Sequence, residues 1–432
     1  MTTLFTAPRG TKDILPDEIE QWQFIESKAR SLFNLYNFKE IRTPIFESTH
    51  LFERSIGDDT DIVEKEMYTF KDKSNRLITL RPEGTASVVR SALQHNLTSD
   101  LPQKLYYMGP MFRYERPQAG RYRQFHQIGV EYIGSPSYHA DVEVIAMAYR
   151  LLSRLGITEL KVTINSIGDD ISRPVINEAI RQFFGNSPWF EKEICPPCIK
   201  RFKTNPLRIL DCKNRDCKAY HSGLPDIKKL QSRDCQNHFH AVCEGLDHLD
   251  IPFEINPFLV RGLDYYTKTT FEIVSNDATL GSQNAICGGG RYDGLINQFG
   301  GKKIPAIGFA FGLERIVMML QNKTEAHINR TPIISVIPIG TAQIQPCVSL
   351  TEQCRISGIK CDMLYDKNTL KPQLKQANKI GATIALIYGE EEAEKQQVCV
   401  KYMDTGTQEF VSLSRIIDHL VLATRKHKCT HV

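Results

Sequence analysis

From Met111 to Gln127 the chain reads Met-Phe-Arg-Tyr-Glu-Arg-Pro-Gln-Ala-Gly-Arg-Tyr-Arg-Gln-Phe-His-Gln, and no other stretch narrows its possible folds and functions as far. Four arginines, Arg113, Arg116, Arg121 and Arg123, fall within eleven positions around Pro117 and Gly120, with Phe112, Tyr114, Tyr122 and Phe125 among them. Arginine suits phosphate because its planar fork donates two parallel hydrogen bonds and keeps its charge. An aromatic ring nearby gives a base a face to stack on. A solvated hairpin with surface arginines fits the same letters. What favours a pocket is the strand that follows, where alternation puts Gln127, Gly129 and Glu131 on one face. An amide and a carboxylate on one face suit a polar small-molecule site better than a core.

The rest of the chain organises around that segment. After Pro16 and Asp17, a helix start signal, apolar residues recur at Ile19, Trp22, Ile25, Ala29, Leu32, Phe33 and Tyr36, predicting a helix that ends near Asn37. Glu40 to Phe46 follows as an extended segment, in which Pro44 lacks an N–H donor and suits an edge or an interface. From about 76 to 165, short apolar runs (Leu105 to Met108, Gln127 to Ile133) mix with a helix over Ala140 to Leu155, predicting antiparallel strands. Residues 168–252 hold six of the twelve Cys and the turn-rich Asn205-Pro206, and they read as an insertion. Strands are expected over Thr269 to Val274 and near Ile286, then a helix from about Gly312 to Leu320. The polar stretch 321–331 marks a boundary. Beyond it Ile333 to Ile337, Lys360 to Leu364, Thr383 to Tyr388 and Val398 to Met403 read as strands of a second, α/β domain. The expected division is therefore 1–325, interrupted by 168–252, and 326–432.

With 54 Lys+Arg against 50 Asp+Glu, the net charge of +4 permits a nucleic-acid partner without requiring one. No apolar run approaches the roughly 18 residues of a membrane helix. The first residues lack a positive region followed by an apolar core, so a secretory signal is not expected. A cytoplasmic protein with reduced or metal-bound Cys is the expectation.

Phosphate-binding loops are absent. Gly300-Gly301-Lys302-Lys303 lacks the upstream Gly and the Ser/Thr of a Walker loop, and Cys287-Gly288-Gly289-Gly290-Arg291-Tyr292-Asp293-Gly294 does not fit G-x-G-x-x-G. A nucleotide would have to be held by side chains on a sheet. Three further groups fit that picture. Arg81-Pro82-Glu83-Gly84-Thr85 puts a carboxylate and a hydroxyl at a helix start, where an acid also suits the helix dipole. Arg261-Gly262-Leu263-Asp264-Tyr265-Tyr266-Thr267 sets an arginine beside two tyrosines before a strand, and Gly308-Phe309-Ala310-Phe311-Gly312-Leu313-Glu314-Arg315 places Arg315 where an apolar helix opens.

Together these segments resemble the three signature motifs of class II aminoacyl-tRNA synthetases, and Arg261 to Thr267 with Cys287 to Leu295 resemble the histidyl-tRNA synthetase family in particular. The resemblance runs from Pro8-Arg9-Gly10-Thr11-Lys12-Asp13-Ile14-Leu15-Pro16 into the last domain. It implies an α+β fold: an antiparallel sheet flanked by helices, an insertion domain and a C-terminal α/β anticodon-binding domain. It also implies a homodimer joined through the first helix and the segment to Pro44. The implied reaction joins L-histidine to ATP, with magnesium, as histidyl-adenylate, and then transfers histidine to the 3′ end of its cognate tRNA.

The resemblance also implies roles. Arg113 would hold the α-phosphate and Glu115 the adenine edge. Phe125 and Arg315 would sandwich adenine, with Arg121 and Arg315 reaching the outer phosphates. Arg261 would sit between carboxylate and α-phosphate and stabilise charge on phosphorus. Glu83 and Glu131 would recognise ammonium and imidazole, with Gly84, Thr85, Gln127, Tyr265, Tyr266 and Gly288 to Tyr292 completing the pocket. Arg116, Gln118 and Arg123 would meet the tRNA acceptor end.

The last domain carries 12 Lys+Arg to 10 Asp+Glu from Thr331 on, so RNA contact there must come from local patches such as Lys367, Lys371 and Lys375, or from stacking on unpaired bases. The insertion holds Cys195-x2-Cys198 and, after thirteen residues, Cys212-x4-Cys217, a plausible zinc spacing with His221 as a further candidate. The resemblance does not supply this site; buried thiols and redox chemistry are the other readings. Two rival functions differ in class. A regulatory relative of the synthetases would lose the last domain and blur the arginines, and a stand-alone RNA-binding module would not need Glu83, Gln127 and Glu131 together.

Overall fold

A computed structural model describes residues 5–57, 60–187, 190–212, 214–275, 277, 284–320, 333–365 and 369–429. The chain divides into two compact units, Met1–Glu325 and Ala326–Val432.

In the first unit, helix α1 (Pro16–Leu35) begins where Pro16 presets the backbone and Asp17 and Glu18 face the positive end of the dipole. It buries Trp22, Ile25, Ala29, Leu32 and Phe33, the stripe read from the sequence. The elements that follow are β1 (Lys39–Glu40), β2 (Phe46–Ser48), α2 (Thr49–Ile56), β3 (Tyr68–Lys71), β4 (Leu77–Leu80), α3 (Thr85–Gln94), β5 (Gln103–Phe112), β6 (Gln124–Ile133), α4 (Tyr138–Arg154) and β7 (Leu160–Ser166). Next come α5 (Ser172–Gly185), α6 (Phe190–Glu193), α7 (Pro196–Thr204), α8 (Arg215–Ala219) and α9 (Arg233–His248). Strands β8 (Phe253–Ile255), β9 (Thr267–Ser275) and β10 (Ala285–Arg291), helix α10 (Leu295–Gln298), strand β11 (Ala306–Gly312) and helix α11 (Leu313–Leu320) complete the unit.

Eight of these strands form one sheet in the order β1-β5-β6-β11-β10-β9-β7-β8. The six central strands pair antiparallel, as the mixed pattern predicts, but both edge pairs, β1–β5 and β7–β8, run parallel. Directly paired residues share a face. On one face Tyr106, Ile128, Val130, Phe309, Phe311, Phe271, Ile273 and Ile164 pack under α1, α4, α9 and α11 in the main core. Each fully buried side chain of this size contributes about 1.5–3 kcal/mol. The opposite face is left for the site. One row across five strands reads Tyr107, Gly129, Ala310, Gly288, Glu272, and the next reads Glu131, Gly308, Gly290, Thr270.

Among the described residues, segment 168–252 has no core apart from the rest of the unit. Helix α9 lays Phe239, Val242, Cys243 and Leu246 into the main core, and α5, α7 and α8 share a second cluster with Tyr265, Tyr266 and Tyr292. A three-stranded sheet, β2-β4-β3, stands apart from the main one. Its register puts Phe46, Phe70, Ile78, Leu80 and Tyr68 on one face, with Phe46 and Phe70 exposed.

The second unit contains β12 (Ile333–Pro338), α12 (Ile344–Ile356), β13 (Cys361–Met363), α13 (Leu370–Lys379), β14 (Ala382–Tyr388), α14 (Glu390–Glu394), β15 (Gln397–Tyr402), β16 (Gln408–Ser412) and α15 (Ile416–Cys429). Its sheet runs β13-β12-β14-β15-β16, parallel among the first three strands and antiparallel beyond. Among the described residues no helix is long and apolar enough to cross a membrane.

Candidate active site

The small residues of β6, β10 and β11 are what make room for a site. A Cβ at Gly308 would overlap Glu131, one at Gly288 would overlap the Arg261 guanidinium, and one at Gly129 would overlap the Tyr107 ring. Their absence of side chains floors a cavity of about 500 Å³. Of the residues named from the sequence, Glu83, Thr85, Arg113, Glu115, Arg121, Phe125, Gln127, Glu131, Arg261, Tyr265, Tyr266, Tyr292 and Arg315 all line it. They come from five separate stretches of chain, which the sheet brings together. Gly84 lies just behind the wall, where any side chain would strike Tyr107. Arg291 faces the other way: fully buried, it donates to Asp141 at 2.8 Å, to Asp293 at 2.9 Å and to the carbonyls of Ser135 and Ser137.

One end of the cavity is acidic and aromatic. Glu83 accepts from the backbone N–H of Thr85 at 2.6 Å and of Ala86 at 2.8 Å, so it caps α3 as well as lining the pocket. Glu131 accepts from the Thr85 hydroxyl at 2.7 Å and from the Tyr292 hydroxyl. Burial pushes the Glu131 carboxyl up to about 8, against the pull of those two hydroxyls, and raises Glu83 as well. Tyr265 packs its ring 4.7 Å from Tyr266 and 5.7 Å from Tyr292, closing this end. Gln127 Oε1 is buried there without a hydrogen-bond partner, an acceptor facing a space that nothing on the protein fills.

The other end is cationic. Arg113 is fixed by its Nε donating to Pro82 O at 2.9 Å and lies 5.4 Å from the Phe125 ring centre. Arg121 pairs with Glu115, and Arg315 donates to the Ala285 carbonyl. Burial holds Arg113, Arg121 and Arg315 below the usual arginine range, and neighbouring arginines lower all three further. Arg261 differs: burial pulls it down, but the Glu272 carboxylate with which it pairs more than compensates. A site whose cations repel one another this way gains most from a ligand carrying several negative charges.

Sequence reasoning missed Glu272, Tyr107 and Asp211, all on the cavity wall, which Tyr122, one of the aromatics noted in the arginine-rich segment, also lines. A lone acid inside the apolar strand Phe271-Glu272-Ile273-Val274 was the signal available for Glu272.

The loop residues named for RNA behave differently. Arg116 and Gln118 are exposed and outside the cavity. Arg123 is taken up within the loop: it stacks 3.7 Å from the Tyr114 ring centre and donates to the carbonyls of Glu115 and Arg9 at 3.3 Å. In the second unit Lys371 and Lys375 are exposed on α13, opposite the buried Gln373 and Ala377, whereas Lys367 lies outside the described residues. Cys195, Cys198, Cys212 and Cys217 converge, with all four sulfurs within 4.8 Å of one another. His221 is not part of that group; its ring packs against Phe258, 5.5 Å between centres.

Comparison with known proteins agrees with this geometry. The family described as histidyl-tRNA synthetase matches residues 10–179 and 207–316, and an anticodon-binding domain matches 334–421. A curated histidine–tRNA ligase of Halothermothrix orenii is 47% identical over 416 residues, covering 96% of this chain and 98% of the relative. That of Geobacillus thermodenitrificans is 45% identical over 427 residues, covering 98% and 100%. The crystal structure of apo Staphylococcus aureus histidyl-tRNA synthetase superposes with a TM-score of 0.83 at 39% identity, covering 96% of this chain and 99% of that one. The chain therefore belongs to the histidyl-tRNA synthetase family.

Proposed function

We propose that this protein is a histidine–tRNA ligase: it activates L-histidine with ATP, releasing pyrophosphate, and passes histidine to the 3′-terminal ribose of its cognate tRNA. The observation that carries the reading is one cavity holding Arg113, Arg121, Arg261 and Arg315 at one end and Gln127 with the buried Glu83 and Glu131 at the other. A polyphosphate and a small polar cation have complementary places in the same cavity.

In the first step a carboxylate oxygen of histidine attacks the α-phosphorus, the new O–P bond forms, and the bridging bond to pyrophosphate breaks. The nucleophile already carries its charge, so no base is needed and alignment supplies much of the rate. Arg113 and Arg261 hold the α-phosphate between them and neutralise the charge that builds on its oxygens. Arg121 and Arg315 take the outer phosphates, which requires Arg121 to release Glu115; the freed carboxylate then accepts from the adenine amino group. Phe125 and the Arg315 plane cover the two faces of the base. Glu272 offers a hard oxygen donor of the type magnesium prefers, and magnesium bound with the nucleotide would neutralise phosphate charge.

Glu131 and Glu83 receive the cationic groups of histidine, and Gln127 Oε1 gains the donor it lacks. An apolar amino acid of similar size would leave these buried acceptors unpaired, which is the strongest form of rejection a pocket offers. In the second step the ribose hydroxyl oxygen attacks the mixed-anhydride carbonyl, the bond from that carbon to the phosphate oxygen breaks, and AMP leaves, its phosphate taking the hydroxyl proton. Arg116 and Gln118, exposed at the tip of the loop, guide the acceptor end, and the exposed Lys371 and Lys375 face of α13 contributes to the anticodon contact.

The working form is a cytoplasmic homodimer. Supporting this is the outward apolar face of β2-β4-β3, with Phe46 at 54% and Phe70 at 48% exposure, adjoining the segment to Pro44. The test of the whole reading is charging of a histidine tRNA transcript with each of the twenty amino acids and ATP. Histidine alone should be esterified. No charging with histidine by folded protein, or charging with another amino acid in preference, overturns it.

A further inference from the structure

The reaction uses none of the four cysteines gathered in segment 168–252. Cys195 caps the start of α7 and Cys198 lies in its first turn, Cys212 ends the 3-10 turn Pro206–Asp211, and Cys217 sits in α8. Their sulfurs lie within 4.8 Å of one another, with Cys195 and Cys212 3.7 Å apart. Four thiolates bound to one tetrahedral zinc at about 2.3 Å stand about 3.8 Å from each other. A disulfide would need about 2.05 Å, and all four are free cysteines.

Buried thiols kept for packing alone sit against carbon, as small apolar groups. Here three sulfur-bearing elements turn their sulfurs toward one another, and the Cys195 backbone N–H donates to Cys217 Sγ at 3.3 Å. Amide donors of this kind are the usual outer support of metal-bound thiolates. Cys198, Cys212 and Cys217 are buried within a cluster that includes Phe184, Leu207 and Ile209. The elements they join are nine, six and five residues long, too short to hold their shape alone.

We propose that Cys195, Cys198, Cys212 and Cys217 bind one structural zinc ion as four thiolates. All four positions are filled by protein, so the ion has no open site for chemistry. Its role is to fix the short helices and, through them, the wall of the cavity. Asp211, next to Cys212, lines that wall, and Asn205 donates at 3.0 Å to Asp264, three residues beyond Arg261.

The test is metal analysis by mass spectrometry on the full chain, purified under reducing conditions with no added metal. One zinc per chain is expected, lost in Cys212→Ser and in Cys217→Ser and kept in Cys347→Ser, whose thiol lies in the other unit. If the serine variants fail to fold, wild type still decides. Titration with a mercurial should release one zinc as the four thiols react, and cobalt in its place should show the visible absorption of tetrahedral thiolate cobalt. No stoichiometric metal, iron in place of zinc, or zinc retained by both folded serine variants overturns the proposal. None of these outcomes depends on ligase activity, so this inference and the proposed function fail separately.

Discussion

Replacing Glu131 by Gln removes one titration from the cavity while leaving its shape and most of its hydrogen bonds. The carboxyl is fully buried and its folded value is pushed up to about 8 from an ordinary 4.5, chiefly by desolvation. Between those two values the unfolded chain has released the proton and the folded chain retains it, so this group's contribution to stability falls as pH rises. It is fully present below 4.5 and gone above about 8. The slope approaches about 1.4 kcal/mol per pH unit, or about 3–4 kcal/mol in all between pH 5 and pH 8. Gln keeps an oxygen to accept from Thr85, and the Tyr292 hydroxyl can rotate to accept from its amide. The assay is urea unfolding of ligand-free wild type and Glu131→Gln at intervals from pH 5 to pH 8, followed by tryptophan fluorescence. Trp22 lies in the main core of the first unit and reports its unfolding. Relative to the variant, wild type should lose about 3–4 kcal/mol across that range. A difference between the two proteins that does not change with pH would refute the burial argument. Histidine should reverse the trend for wild type alone, because a bound cation favours the ionised carboxylate, while the variant loses about 10- to 100-fold in kcat/KM for histidine.

Other perturbations read other parts of the structure. Gly308→Ala puts a methyl group against the Glu131 carboxylate and the Val130 carbonyl of the paired strand, so histidine activation should fall at least tenfold, visible as a raised KM, and the first unit should also unfold at lower denaturant. Asp141→Asn leaves the buried Arg291 guanidinium with Asp293 as the remaining one of its two carboxylate partners and should destabilise the first unit by about 1–3 kcal/mol in denaturant unfolding. Phe46→Asp together with Phe70→Asp places charge on the outward sheet face; light scattering should report a monomer, and a dimer of unchanged affinity would exclude this face as the interface.

Periodicity was enough to read α1, whose apolar stripe repeats at helical spacing over five turns, and the paired strands β5 and β6, which flank an arginine-rich turn. It failed for strands covered on both faces. Ala306–Gly312 is buried almost throughout and shows no polar alternation, whereas Leu160–Ser166 does alternate (Leu160, Val162 and Ile164 against Lys161, Thr163 and Asn165) although Thr163 and Asn165 are buried too. The parallel edge pairs were equally hidden, since a two-residue strand such as Lys39–Glu40 carries no pattern of its own. In the cavity, residues inside recognisable motifs were legible, whereas Tyr107 and Glu272 were not. Glu272 is a single polar group in an apolar run and Tyr107 one of two adjacent tyrosines, and only the strand register shows that both face the cavity, at opposite ends of the row that Gly129, Ala310 and Gly288 floor. The four cysteines were readable as a possible metal set from spacing, but His221 was not separable from them until its ring was seen against Phe258.

The central claim is that Arg261 and its neighbours drive adenylate formation, and histidine-dependent exchange of labelled pyrophosphate into ATP, without tRNA, tests it most directly. Wild type should exchange with histidine and with no other amino acid. Arg261→Ala should fold normally yet lose at least about a hundredfold in exchange rate, the scale expected for removing one preorganised donor to a charged transition state. Folded wild type without exchange, or an Arg261→Ala variant exchanging at the wild-type rate, would contradict the account.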